Sequence, residues 1–181
     1  AAIKKWCVGS PIQAPLDALM VFVTTNGLTA DNTARLTATM PDDRLHIVDD
    51  RDMPDVCLQH LLAITLLDGG LSFAAAHDHA RMKAPAALAL RKRIFAEPSA
   101  ELTAAKPPRQ AILTAVTTDG QTLRHHTRAV LGTPENPMST AEVAAKAHDL
   151  IAPSLGDTAT NALISAVLAM DSMADIRALR G

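Results

Sequence analysis

Aromatic side chains are nearly missing from this chain. Its 181 residues hold no Tyr, one Trp and three Phe, 2% aromatic in all. Any core must therefore be aliphatic and rich in alanine. Cysteine is scarce too, with only Cys7 and Cys57. Two thiols without CxxC spacing suit a reducing cytosol, and they leave one disulfide open. They are too few for the usual ligation of an iron–sulfur cluster, so any dehydration chemistry must use side chains. Charge of one sign is also lacking: the net charge is −2, with no basic run. A nucleic-acid partner needs a positive face to neutralise phosphates, and none is legible here. No apolar run reaches the roughly 20 residues of a membrane span. No signal-peptide pattern opens the chain, so the reading is cytoplasmic. GxSxG, P-loop and GxGxxG patterns do not occur.

What is present is a hydrophobic content of 48%, enough for a sizeable core in one domain or one and a half. Pro11 to Asn26 reads as a helix that Gly27 stops. Ser10 is placed as its N-cap, Pro11 sits at its first position, and Gln13 completes a capping box. Thr33 to Met40 alternates like a strand, and Arg44 to Val48 reads as a second short one. Val56 to Leu67 is apolar nearly all round, the mark of a buried helix, and Asp68-Gly69-Gly70 ends it. Shorter helices are expected at Phe73 to Arg81 and Ala86 to Phe95. A proline-bearing connection is expected from Glu97 to Pro108. Gln110 to Thr118 and Gln121 to Val130 flank Asp119-Gly120, which predicts a hairpin with a two-residue turn. That register sets Val116 opposite Leu123 and Thr114 opposite His125. Beyond Thr133-Pro134-Glu135-Asn136-Pro137, Ser139 and Glu142 form a capping box. From there the chain reads helical to Arg180, broken at Pro153 and Gly156.

Three blocks resemble the MmgE/PrpD family in order. The first is IKKWCVGSPIQAPLDAL, Ile3 to Leu19, similar to the cationic corner that opens the family's lid domain. The second is Met53 to Ile94, similar to the long lid helix and the segment after it. The third is Asp119 to Gly156, similar to the lid hairpin, its G-x-P-x-N-P connection and its return helix. The family includes 2-methylcitrate dehydratase, cis-aconitate decarboxylase and iminodisuccinate epimerase. The resemblance implies an α+β lid domain over 1–132, with antiparallel strands covered by helices. Over 133–181 it implies a linker and helices that return to an all-helical domain, which lies upstream in the family and is absent here. The implied activity is that of a cofactor-independent lyase or isomerase on a small di- or tricarboxylate. Its partners would be that carboxylate, the helical domain and a second copy in a homodimer. The alternative is a free-standing lid-like domain that binds carboxylates or a protein without turnover.

Lys4 falls where the family has a lysine facing the active site, which makes it the first catalytic candidate. Without the resemblance it reads as a solvated surface lysine. Lys5 should point to the other face, because side chains alternate in an extended segment. His60 is the second candidate, on the face of Cys57, Ile64 and Leu67; it reads equally as a packed core histidine. Ser10 and Gln13 are candidate substrate-binding residues, although capping alone explains both. Much of the family has a histidine at the position of Gln13, so only hydrogen bonding carries over to it. Gly9 would let backbone approach a ligand ahead of a helix N-terminus that favours anions. Arg51 would clamp a carboxylate, or else belong to a solvated loop with Asp49, Asp50 and Asp52. His77-Asp78-His79 and His125-His126 have the wrong spacing to share a metal, and no metal site is assigned.

Overall fold

The structure, a computed structural model, describes residues 2–180. It is α+β, with a four-stranded mixed sheet and helices packed against it. The chain divides into two compact units that part between Pro137 and Met138.

The first unit opens with an irregular segment whose residues 5–8 bend instead of lying extended in a sheet. A 3-10 turn, Ser10–Ile12, then runs into α1, Gln13–Asn26, and Gly27 ends the helix at φ +65°. The expected capping box does not form. The Ser10 side chain makes no capping bond, and Gln13 is occupied elsewhere, as described below.

β1, Thr33–Pro41, follows. The second strand expected at Arg44–Val48 is instead a helix, α2, Asp42–Val48. Leu45 and Val48 are buried while Ile47 is exposed, so the i,i+3 pair outweighs the apparent alternation. Asp42 and Asp43 sit in the first turn, where negative charge suits the helix dipole.

α3, Leu58–Asp68, is buried from Leu58 through Leu66 and stops at Gly69, φ +70°. α4 is short, Phe73–Ala76, and α5 spans Pro85–Arg91. The helix expected to reach Phe95 gives way to β2, Ile94–Ser99. β2 pairs parallel with β1, in the register Leu36 to Ile94 and Thr37 to Phe95. Pro98 lies in this edge strand, where a missing N–H is tolerated. α6, Ala100–Ala104, is capped by Ser99, whose hydroxyl accepts from the Leu102 N–H.

β3, Ala111–Thr117, and β4, Thr122–Thr127, complete the sheet in the order β2-β1-β3-β4. The hairpin is real, but its register is one residue off the expectation. Val116 faces Thr122, and Leu113 faces His125. The Gly120 N–H bonds the Thr117 carbonyl at 3.0 Å, and the Thr117 N–H bonds the Gln121 carbonyl at 2.9 Å. Thr118, Asp119 and Gly120 thus make a three-residue loop, with Gly120 at φ +86°. This is a type I turn closed by a left-handed glycine, where the sequence suggested a two-residue type I′ turn.

Leu36, Ala38 and Met40 of β1 are buried, as are Ala111, Leu113 and Ala115 of β3. Period-two alternation puts each set on one face. α1 packs on β3 and β4, and α3 packs on α1, α5 and β2. On the other face, the Arg35 guanidinium lies 3.8 Å from the centre of the Phe95 ring.

The second unit contains α7, Thr140–Leu155, and α8, Asp157–Leu168. The Ser139–Glu142 capping box forms as expected. Pro153 is accommodated inside α7, and the run expected to be helical to Arg180 breaks at Gly156 and again after Leu168, where only two 3-10 turns follow, Met170–Ser172 and Ile176–Arg180. No helix among the described residues is long and apolar enough to cross a membrane.

Candidate functional site

The segment before α1 is held in place by polar side chains from α1. Gln13 Oε1 accepts from the Trp6 N–H at 3.1 Å, and Gln13 Nε2 donates to the Trp6 carbonyl at 3.0 Å and the Val8 carbonyl at 3.4 Å. Gln13 is buried, so these bonds replace the water its amide gives up. One turn further on, Asp17 Oδ1 accepts from the Trp6 indole N–H at 3.0 Å. Its Oδ2 accepts from the Leu131 N–H at 2.8 Å. Burial pushes the Asp17 carboxyl above its usual range, against the opposing pull of these two donors. The Ile3 N–H bonds the Gly132 carbonyl at 2.8 Å. Residues 3–8 are thereby fixed between α1 and the chain that leaves β4.

This arrangement brings three of the candidate residues together. Lys4, Ser10 and Gln13 line one small cavity of about 50 Å³, with Pro108, Arg109, Gly132 and Thr133. Lys4 Nζ donates to the Val8 carbonyl at 3.3 Å. Ser10 Oγ accepts from Arg109 Nη1 at 3.0 Å. Lys5 lines a separate cleft of about 410 Å³ with Trp6, Asp17, His125 and Arg128. Its Nζ lies 5.6 Å from the centre of the Trp6 ring.

The other candidates lie elsewhere. The His60 side chain is fully buried. Neither of its ring nitrogens has a hydrogen-bond partner. Burial lowers its pKa to about 4, with Arg91 and Arg81 adding to the effect and Asp78 opposing it. At neutral pH it is an uncharged core residue, and it lines none of the cavities described here. Arg51 is exposed and borders a cleft of about 690 Å³ with Asp50, Asp52, Met53 and His79. Its neighbour Asp50, at φ +44°, pairs with Arg91 at 2.6 Å. The Gly9 N–H bonds the Asp55 carbonyl at 2.8 Å. A Cβ at Gly9 would meet Ile12, Val48 and Asp55 at 3.6 to 3.7 Å, which is ordinary contact.

Arg109 is the residue that sequence reasoning missed. It sits at φ +69°, a backbone conformation costly for a residue with a Cβ. Nothing in the spacing of Pro107-Pro108-Arg109 relates it to Ser10, far upstream.

Residues 6–172 match the family model of the MmgE/PrpD C-terminal domain. No curated protein matches the chain.

Proposed function

The chain belongs to the MmgE/PrpD family and carries its C-terminal domain, and from that premise we propose that it is the lid of a cofactor-independent lyase or isomerase. The substrate class is a small di- or tricarboxylate. The reaction begins with removal of a proton next to a carboxylate, followed by loss of hydroxyl, loss of carbon dioxide, or reprotonation. The observation that carries this reading is the shared cavity of Lys4, Ser10 and Gln13, at the corner that resembles the family's active-site face.

Lys4 has the central role in the proposal. Its ammonium would meet the negative charge that develops on the carboxylate as the neighbouring proton leaves; alternatively its neutral amine would take that proton and become the ammonium. Preorganised charge of this kind is usually the largest catalytic contribution. Gln13 fixes the segment that presents Lys4. His60, buried and neutral, would act only if the assembled site opened a path to it. Arg51 would reach substrate only from its separate cleft. The second wall of the cleft would come from an all-helical domain, and the protein would act in the cytoplasm as a homodimer. Exposed Leu155, Val167, Leu168 and Ile176 in the second unit support such packing, since apolar patches of this kind mark association surfaces. They equally favour the alternative of an interaction domain without turnover.

The test uses the protein with whatever sequence precedes Ala1 in its reading frame. Lys4→Met should reduce turnover of a 2-methylcitrate-like substrate at least ~100-fold, the scale of losing an acid/base or charge-stabilising group. The circular dichroism spectrum and melting temperature should stay native-like. Normal turnover by the variant would remove Lys4 from the mechanism.

A further inference from the structure

The cavity beside Lys4 has a second cation. Its charged lining residues among the described ones are Lys4 and Arg109. They come from distant parts of the first unit's sequence, and Ser10, which lines the same cavity, accepts a 3.0 Å bond from Arg109 Nη1 through its hydroxyl. That bond orients the guanidinium and leaves it further N–H donors to offer. The backbone holds Arg109 at φ +69°, where L side chains are rarely found. Such positions persist only when the surroundings impose them, and they gather at ligand clamps.

The cavity is small, about 50 Å³, against the roughly 10–15 Å³ of such volume that one water needs. It has room for a small polar group such as a carboxylate. We propose that Arg109 is a substrate-binding residue that grips one carboxylate of the substrate in this cavity, with Ser10 positioning its guanidinium. This rests on the reading of Lys4 given above and adds a division of labour to it. Arg109 takes the two oxygens of the carboxylate in a forked contact, which a planar guanidinium offers and an ammonium does not. Lys4 is then left beside the carbon whose proton is removed.

Kinetics of the protein with its native upstream sequence test this. Arg109→Ala should raise KM at least ~10-fold while kcat changes far less, the signature of a lost binding contact. Arg109→Lys should recover only part of the loss. Ser10→Ala should give a smaller rise in KM. A substrate analogue with the gripped carboxylate replaced by a carboxamide should bind wild type weakly, and Arg109→Ala should weaken it little further. That coupling is what a merely structural role would not produce. Unchanged KM in Arg109→Ala, or equal losses on acid and amide, overturns the clamp and leaves the role of Lys4 standing. If no carboxylate is turned over by wild type, the lyase reading fails and calorimetry with citrate decides the clamp. Citrate binding lost in Arg109→Ala sustains it; binding that ignores the substitution, or no binding at all, overturns it.

Discussion

α3 in the first unit and α7 in the second are both regular helices of more than two turns, yet their surroundings are opposite. α3 carries no side-chain cap and is buried on nearly every face. α7 carries a complete capping box and has no buried residue at all. In α8 only Thr160 is buried, and its hydroxyl has no hydrogen-bond partner. Several apolar side chains of the second unit are instead well exposed, Leu168 by 57% and Ile176 by 62%. Two routes to a helix are visible here. One is imposed by burial and tolerates poor ends; the other is written into local signals and lacks a core. Helices of the second kind are marginal in water unless something packs on them.

Truncation in the core breaks the comparison hardest. Leu62→Ala in α3 should cost about 2–5 kcal/mol, the range for emptying a fully buried leucine site. The same truncation at Leu150 in α7 should cost less than about 1 kcal/mol, since its side chain is already partly in water. Denaturant unfolding followed by Trp6 fluorescence and by circular dichroism compares the two. Equal losses would mean that α7 is buried in solution.

The acid limb of stability sharpens the same contrast. Folded His60 resists protonation down to about pH 4, whereas an unfolded histidine accepts its proton near pH 6.5. Acid therefore favours the unfolded chain. The stability that neutral His60 contributes is complete above about pH 6.5 and lost as pH falls to about 4, on the order of 3 kcal/mol by linkage. His60→Leu, of similar volume and without orphaned nitrogens, should flatten this limb. Melts of both proteins at pH 7 and pH 4.5 measure it. An identical pH slope in the variant would show that His60 is not the group responsible.

Smaller effects test local signals. Gly120→Val should cost about 1–3 kcal/mol, because a β-branched residue resists a left-handed backbone. The space around Gly120 is open, so the cost is purely conformational, and Gly120→Asn should recover much of it. An unperturbed melt of the valine variant would contradict the turn. Ser139→Ala should remove about 1 kcal/mol of cap stabilisation. In the second unit this should appear as lost helical ellipticity with Trp6 fluorescence unchanged.

These contrasts explain what the sequence could convey. The helix ending at Gly27, the strand at Thr33 and the Ser139 cap were legible because each is set by its own neighbours, and α3 because a run apolar on every face marks a helix for burial. The errors came where distant partners decide. Ile94 to Ser99 carries Glu97 and Pro98, poor strand formers, yet it pairs with β1 because Leu36 and Ile94 meet on the buried face. Arg44 to Val48 alternates, but the core takes Leu45 and Val48. The hairpin lay in the right place and one residue off, since a glycine at positive φ serves both turn types. Of the site, the Lys4, Ser10 and Gln13 corner was legible as a unit. Gln13 turned out to clasp the Trp6 backbone, and Arg109 was invisible because nothing local ties it to Ser10.

The parallel pairing of β1 with β2 has a consequence for how this chain is made. β1 ends at Pro41, and its neighbours in the sheet begin only at Ile94 and Ala111. As the chain leaves the ribosome, β1 waits without a partner while α2, α3, α4 and α5 emerge. The β3–β4 hairpin, by contrast, can close as soon as Thr127 is out. Non-local pairing of this kind is slow, and the waiting strand is open to the wrong partners. The run Thr33 to Met40 is thus the part of the sheet that stays unpaired longest during synthesis.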